Sequence, residues 1–208
     1  MNDYSQYGEG KVINHYFKDK KGTCISLGEN DGKTLSNVLG LIENGWSALL
    51  VEPSNEAFFK LSDLHKANKK VRCFNFAVGS YDGETTFYHS GTHLNSGDTS
   101  LLSTIDKEEI KRWNGTCEFT ETKVPLKTWN TFVKNANIKQ ADFISIDCEG
   151  VDFEILQQID FNALNVKMVC VEYNNVNSEM YETHMDKYGF KVHYKNFCNL
   201  IFTNDRLK

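Results

Sequence analysis

The chain has only two prolines in 208 residues, and it carries no internal repeat and no Pro-, Gly- or Ser-rich linker. A string of tethered modules is therefore not expected. One domain over 1–208 is, and it is large enough to bury roughly 70% of its unfolded surface. No apolar run approaches ~20 residues, which argues against a membrane-spanning helix and a membrane partner. Met1-Asn2-Asp3-Tyr4 lacks the charged and greasy regions of a signal peptide. The six cysteines (24, 73, 117, 148, 170 and 198) contain no C-x-x-C pair. A disulfide framework or a structural zinc site is thus disfavoured, and a cytoplasmic location is expected. A basic excess is missing too. The net charge is −5 with lysines scattered, so no nucleic-acid partner is expected.

What the chain does have is a run of short apolar strands that end in acids. Cys24-Ile25-Ser26-Leu27 enters Gly28-Glu29-Asn30-Asp31-Gly32, and Ala48-Leu49-Leu50-Val51 ends in Glu52. Gly28 permits a sharp turn, and Gly32 lets the backbone approach a ligand with no Cβ in the way. Leu35, Val38, Leu39 and Ile42 predict a helix that Asp31 caps and Asn44-Gly45 stops, its free N–H groups facing the crevice. Glu52, one strand over, suits the two ribose hydroxyls of a nucleoside.

Further along, Val12, Ile13, Tyr16 and Phe17 predict a helix within an N-terminal segment 1–20 packed on the body. Ser54 opens a helix with Ala57, Phe58, Leu61 and Leu64 inward, and a third strand is read over 71–78. Thr85–Tyr88 reads as a short extra strand. Residues 89–115 read as a functional loop over the substrate. A strand over 141–146 ends in Asp147-Cys148-Glu149-Gly150, and Met168–Val171 ends in Glu172-Tyr173-Asn174. Phe190–Tyr194 and Asn199–Thr203 are too close for a parallel crossover, so they pair as an antiparallel hairpin. The class is α/β, with right-handed crossovers and a parallel sheet.

A glycine turn followed by an acid fits either a nicotinamide dinucleotide or S-adenosylmethionine. The turn has no central glycine for a pyrophosphate, and the chain closes in a hairpin rather than a second βαβαβ half. Both features favour S-adenosylmethionine. An NAD(P)-dependent Rossmann oxidoreductase or sugar-modifying enzyme, and a non-catalytic SAM-binding protein, stay as alternatives.

Leu27–Gly32, Val51-Glu52-Pro53-Ser54, Phe76-Ala77-Val78-Gly79 and Phe143–Gly150 together resemble the FkbM family of SAM-dependent methyltransferases, and Tyr4–Glu9 is similar to the opening of one branch of it. The resemblance implies a Rossmann-like class I fold with a seven-stranded, mostly parallel sheet, an antiparallel last strand and helices on both faces. It also implies O-methylation of a sugar, glycan or other small natural product. By position, Gly28, Glu29, Asn30, Gly32, Glu52, Pro53, Ala77, Val78 and Asp147 are the cofactor-binding candidates. Asp147 and Glu149 are candidates to take the acceptor's proton, with helix capping or contact with the cofactor amine as the alternatives. His93 and Trp113 are substrate candidates, and His89 is another possible base. Asp147, Glu172 and Asn174 could place oxygen ligands around a Mg²⁺. The acceptor's identity and the oligomeric state are not legible.

Overall fold

The computed structural model describes residues 1–91 and 100–204. Helix α1 (Glu9–Phe17) precedes β1 (Thr23–Leu27), α2 (Leu39–Glu43), β2 (Ser47–Val51), α3 (Asn55–His65), β3 (Val71–Phe74), β4 (Ala77–Val78) and β5 (Gly83–His89). Then come α4 (Lys107–Arg112), β6 (Thr120–Lys127), α5 (Trp129–Ala136), β7 (Phe143–Ile146), α6 (Asp152–Gln157), β8 (Met168–Glu172), α7 (Ser178–Asp186), β9 (Lys191–Lys195) and β10 (Asn199–Thr203).

Seven strands form the main sheet in the order β3-β2-β1-β7-β8-β10-β9. β3, β2, β1, β7 and β8 run parallel, and β10 is antiparallel to both of its neighbours. This is the Rossmann-like methyltransferase arrangement expected above. A central parallel sheet must be covered on both faces, and β1, β2, β7 and β8 are accordingly buried and mostly apolar. One face, with Ile25, Leu27, Ile144, Ile146, Val169 and Val171, packs against α5, α6 and α7. The other, with Cys24, Ala48, Leu50, Phe143, Met168 and Ile201, packs under α1 and α2.

Several elements differ from the sequence reading. The helix expected after the glycine turn is only α2; residues 31–38 are irregular, and Leu35 takes a left-handed φ of 58°. Asp31 caps no helix. Its Oδ1 accepts from the N–H groups of Lys33 and Thr34 (2.8 and 2.7 Å), closing a tight turn. The cap residue of α2, Val38, makes no side-chain bond; Ser36 Oγ, two residues earlier, accepts from Val38 N and Leu39 N at 3.2 and 3.0 Å. On α3, Ser54 caps as expected, but Leu64 faces solvent and His65 takes the buried position.

The strand read over 71–78 is two strands in two sheets. Asn75 breaks it by donating from Nδ2 to the carbonyls of Glu52 and Pro53. β4 then joins β6 and β5 in a separate three-stranded sheet. Residues 89–115 contain α4 as well as loop. No described helix is long and apolar enough to cross a membrane.

Candidate active site

The chain runs outward from β1 through β2 to β3 and returns to β7 on the other side of β1. Ligands of open parallel sheets bind where strand order reverses, beyond the carboxyl ends. Val51, Leu27, Ile146 and Val171 form one register row across β2, β1, β7 and β8. The next residues, Glu52, Gly28, Asp147 and Glu172, therefore stand along one edge, and Asn199 on β10 pairs directly with Glu172. Above this edge lies a cavity of about 280 Å³.

Gly28 has φ 76°, and a Cβ there would lie 1.7 Å from the carbonyl oxygen of Asp147. The glycine is needed because β1 and β7 close on each other here, leaving no room for a side chain. Gly32 serves packing too: a Cβ would lie 2.6 Å from Leu61 Cδ1. It is absent from the cavity wall, so the structure does not bring it to the other cofactor candidates. Gly28, Glu29, Asn30, Glu52, Pro53, Ala77, Val78 and Asp147 all line the cavity.

Glu52 is buried, with Oε2 accepting from Asn30 N at 2.9 Å and Oε1 from Ser54 N at 2.7 Å. Each oxygen keeps a second lone pair for a ligand hydroxyl. Burial pushes this carboxyl up to about 7, with the two N–H groups pulling the other way. Glu29 is buried and likewise pushed up to about 7; its Oε1 accepts from Ser36 Oγ at 2.6 Å. That bond ties the glycine turn to the start of α2.

Asp147 is half-buried at the end of β7. Desolvation, followed by repulsion from Asp152 and Glu29, pushes it up to about 8. Glu149 and Glu172 are buried, and each keeps an Oε2 without a hydrogen-bond partner. Burial first, then the charge on Asp147, drives both well above the usual carboxylate range. Neither Asp147 nor Glu149 caps α6, whose Val151 cap makes no side-chain bond. Asp152 instead accepts from the N–H groups of Cys148 and Gly150, at 2.7 and 3.0 Å. That clamp holds Glu149 at a left-handed φ of 48°.

One carboxylate oxygen from each of Asp147, Glu149 and Glu172 lies within 4.8 Å of the other two. Asn174, expected in that set, lines the same cavity, and Glu149 joins Asp147 and Glu172 as a third carboxylate. Trp113 lines the outer wall with Arg112 stacked on it at 4.8 Å, and its Nε1 lacks a partner. His89 is outside the cavity wall, and His93 lies outside the described residues.

Sequence reading missed two supports. Asp152 had a faint signal, an acid that can reach back to the free N–H groups of the turn before it. Glu9 had none. It is fully buried and accepts from Tyr7 N (2.8 Å), Asn196 Nδ2 (2.6 Å) and Asn199 Nδ2 (2.9 Å). These bonds fasten the N-terminal strap, whose Gln6 and Tyr7 wall the cavity.

A family model described as the methyltransferase FkbM domain matches residues 26–193. A comparison with curated proteins gives no match. Among solved structures, the fold is similar to an FkbM methyltransferase from Methylobacillus flagellatus KT (9% identity, TM-score 0.51, 87% of this chain and 43% of that one). It is also similar to M. capricolum TrmK, solved with S-adenosyl-homocysteine (9% identity, TM-score 0.50, 97% and 70%). The METTL16 methyltransferase domain is a third (9% identity, TM-score 0.50, 93% and 63%). At such identities the likeness is one of fold.

Proposed function

Because the chain belongs to the FkbM methyltransferase domain family, and is thereby a SAM-dependent methyltransferase, we propose that it methylates a hydroxyl oxygen of a sugar, a glycan or another small natural product. The proposal takes 1–208 as one domain and the 89–115 segment, of which 92–99 lie outside the described residues, as the part that selects the acceptor, with 100–105 and Trp113 on the wall.

The observation that carries the donor half of this reading is the set of mostly buried acids lining the cavity, whose ionised forms a cationic ligand would favour. Glu29, Glu52, Asp147, Glu149 and Glu172 line it, against Arg112 as the one cationic side chain among the described residues. S-adenosylmethionine bears a positive sulfur and an ammonium group, which suit such a wall; the pyrophosphate of a dinucleotide would be repelled. Glu52, with its free lone pairs, is the group assigned to the ribose hydroxyls, and Phe76, Ala77 and Val78 offer an apolar slot for the base.

When bound, S-adenosylmethionine supplies a methyl group made electrophilic by its positive sulfur. The chain's own work is alignment and proton removal. The acceptor hydroxyl enters from the side of Tyr7 and Trp113, where an aromatic face and an indole N–H suit a polar ring. As the new C–O bond forms, the hydroxyl proton passes to the Asp147 or Glu149 carboxylate. Asp152, gripping the turn between them, holds both in place.

Calorimetry with S-adenosyl-homocysteine tests the pocket. Wild type binds it and does not bind NAD⁺, and Glu52→Ala binds at least tenfold more weakly. Equal affinity in the variant, or NAD⁺ binding in place of S-adenosyl-homocysteine, contradicts the reading. A sugar panel with labelled methyl donor tests the acceptor, since the carbon chemical shift of the transferred methyl separates oxygen from nitrogen.

A further inference from the structure

Three buried side-chain oxygens on the described cavity wall, from Glu149, Glu172 and Asn199, have no hydrogen-bond partner. Asp147 and Glu172 leave adjacent parallel strands one step beyond the Ile146–Val171 pair, so their side chains emerge side by side on the same face. The turn held by Asp152 brings Glu149 back to them. One oxygen from each then lies within 4.8 Å of the others. Oxygen ligands around a single Mg²⁺, Mn²⁺ or Ca²⁺ are separated by at most roughly 4 to 5 Å, twice the metal–oxygen distance.

Carboxylates can cluster without an ion, so a second observation matters. Glu149 and Glu172 are each 8% exposed, and both keep an Oε2 with no hydrogen-bond partner. Asn199, 5% exposed and paired with Glu172, gives its Nδ2 to Glu9 and leaves Oδ1 unpartnered. Three buried oxygens with nothing to accept call for a donor or an ion from outside the protein. Arg112 acts on Glu149 through its charge, but its guanidinium bonds Glu109 and stacks on Trp113.

We propose that Asp147, Glu149 and Glu172 bind one divalent, oxygen-preferring cation, with Asn199 Oδ1 at its edge, and that this ion receives the acceptor's hydroxyl oxygen. The second half rests on the methyl-transfer reading above; the first does not. Held on the ion, the hydroxyl loses its proton more readily. The proton passes to water or to a carboxylate oxygen off the ion. The oxygen then forms its bond to the methyl carbon as the carbon–sulfur bond breaks, and the positive sulfur becomes a neutral thioether. An acceptor with two adjacent hydroxyls would fit best, since both can bind one ion.

Mn²⁺ is the probe. Electron paramagnetic resonance of the full chain titrated with Mn²⁺ should show one bound ion, held at least tenfold more weakly by Glu172→Gln and by Glu149→Gln. Both variants are near-isosteric, and circular dichroism with S-adenosyl-homocysteine calorimetry checks their folds. In wild type, needing no variant, bound Mn²⁺ should broaden the proton resonances of S-adenosyl-homocysteine. No saturable Mn²⁺ binding, or binding unchanged in both folded variants, overturns the site. Mn²⁺ binding without S-adenosyl-homocysteine binding upholds the site and removes the methyl-donor reading instead.

Discussion

Gly28 shows how one residue fixes the relation between two strands. Its Cβ-free backbone sits against Asp147, so the turn after β1 and the acid after β7 cannot be moved apart or exchanged independently. Gly28→Ala should cost more than ~3 kcal/mol, or abolish folding, by combining a backbone clash with an unfavourable φ. Gly115→Ala is the control: its φ is also positive (81°), but no atom lies within 4 Å of the added Cβ. That change should cost only ~1 kcal/mol. Equal costs in urea unfolding would remove the close approach from the account.

Glu29 carries a pH signature at the same scale. Its carboxyl rises from 4.5 to about 7 on folding, because burial disfavours the charge. An acid raised in this way contributes stability that is whole below about pH 4.5 and is lost as pH climbs through about 7. Ligand-free wild type should therefore lose stability between pH 5 and pH 8. Glu29→Gln, which still accepts from Ser36, should lose up to ~3 kcal/mol less over that window. Parallel urea melts at the two pH values read the difference, and identical slopes would contradict the burial argument.

At the scale of elements, the strands were legible because parallel strands buried on both faces must be short apolar runs. The acids that end those runs marked the functional edge for the same reason. The stretch after Gly28 was not legible. Leu35, Val38, Leu39 and Ile42 have helical spacing, yet Glu29 takes the Ser36 hydroxyl, and Leu35 turns left-handed instead of helical. A side-chain bond across seven residues overrode the helical pattern. Asn75 had the same effect on the 71–78 strand, through carbonyls more than twenty residues away.

Glu9 is the extreme case, since two of its donors lie 187 and 190 residues downstream. Glu9→Ala leaves Tyr7 N–H, the half-buried Asn196 amide and the buried Asn199 amide without this acceptor and should cost ~2–4 kcal/mol. It should also speed proteolysis within residues 1–8. A loss under ~0.5 kcal/mol in urea unfolding, with unchanged cleavage, would mean the strap is held otherwise.

Across the whole molecule, the sheet aligns four strand ends, and distant pieces of chain build the walls above them. The strap at 1–8 and the 100–113 stretch come from different parts of the sequence, and their meeting over the sheet edge is a tertiary fact. Thr104 joins one wall to the base by donating to the Glu149 carbonyl at 2.6 Å. The polar edge was therefore readable from strand endings, while the enclosure and the return of Glu149 to Asp147 and Glu172 depended on how the turns fold.

The most direct measurement is a crystal structure of the protein with S-adenosyl-homocysteine. The ribose hydroxyls should lie on the Glu52 carboxylate, the adenine against Ala77 and Val78, and the sulfur should face the Asp147–Glu149–Glu172 cluster. An adenosyl group bound away from Glu52, or a sulfur pointing away from those three acids, would contradict the account.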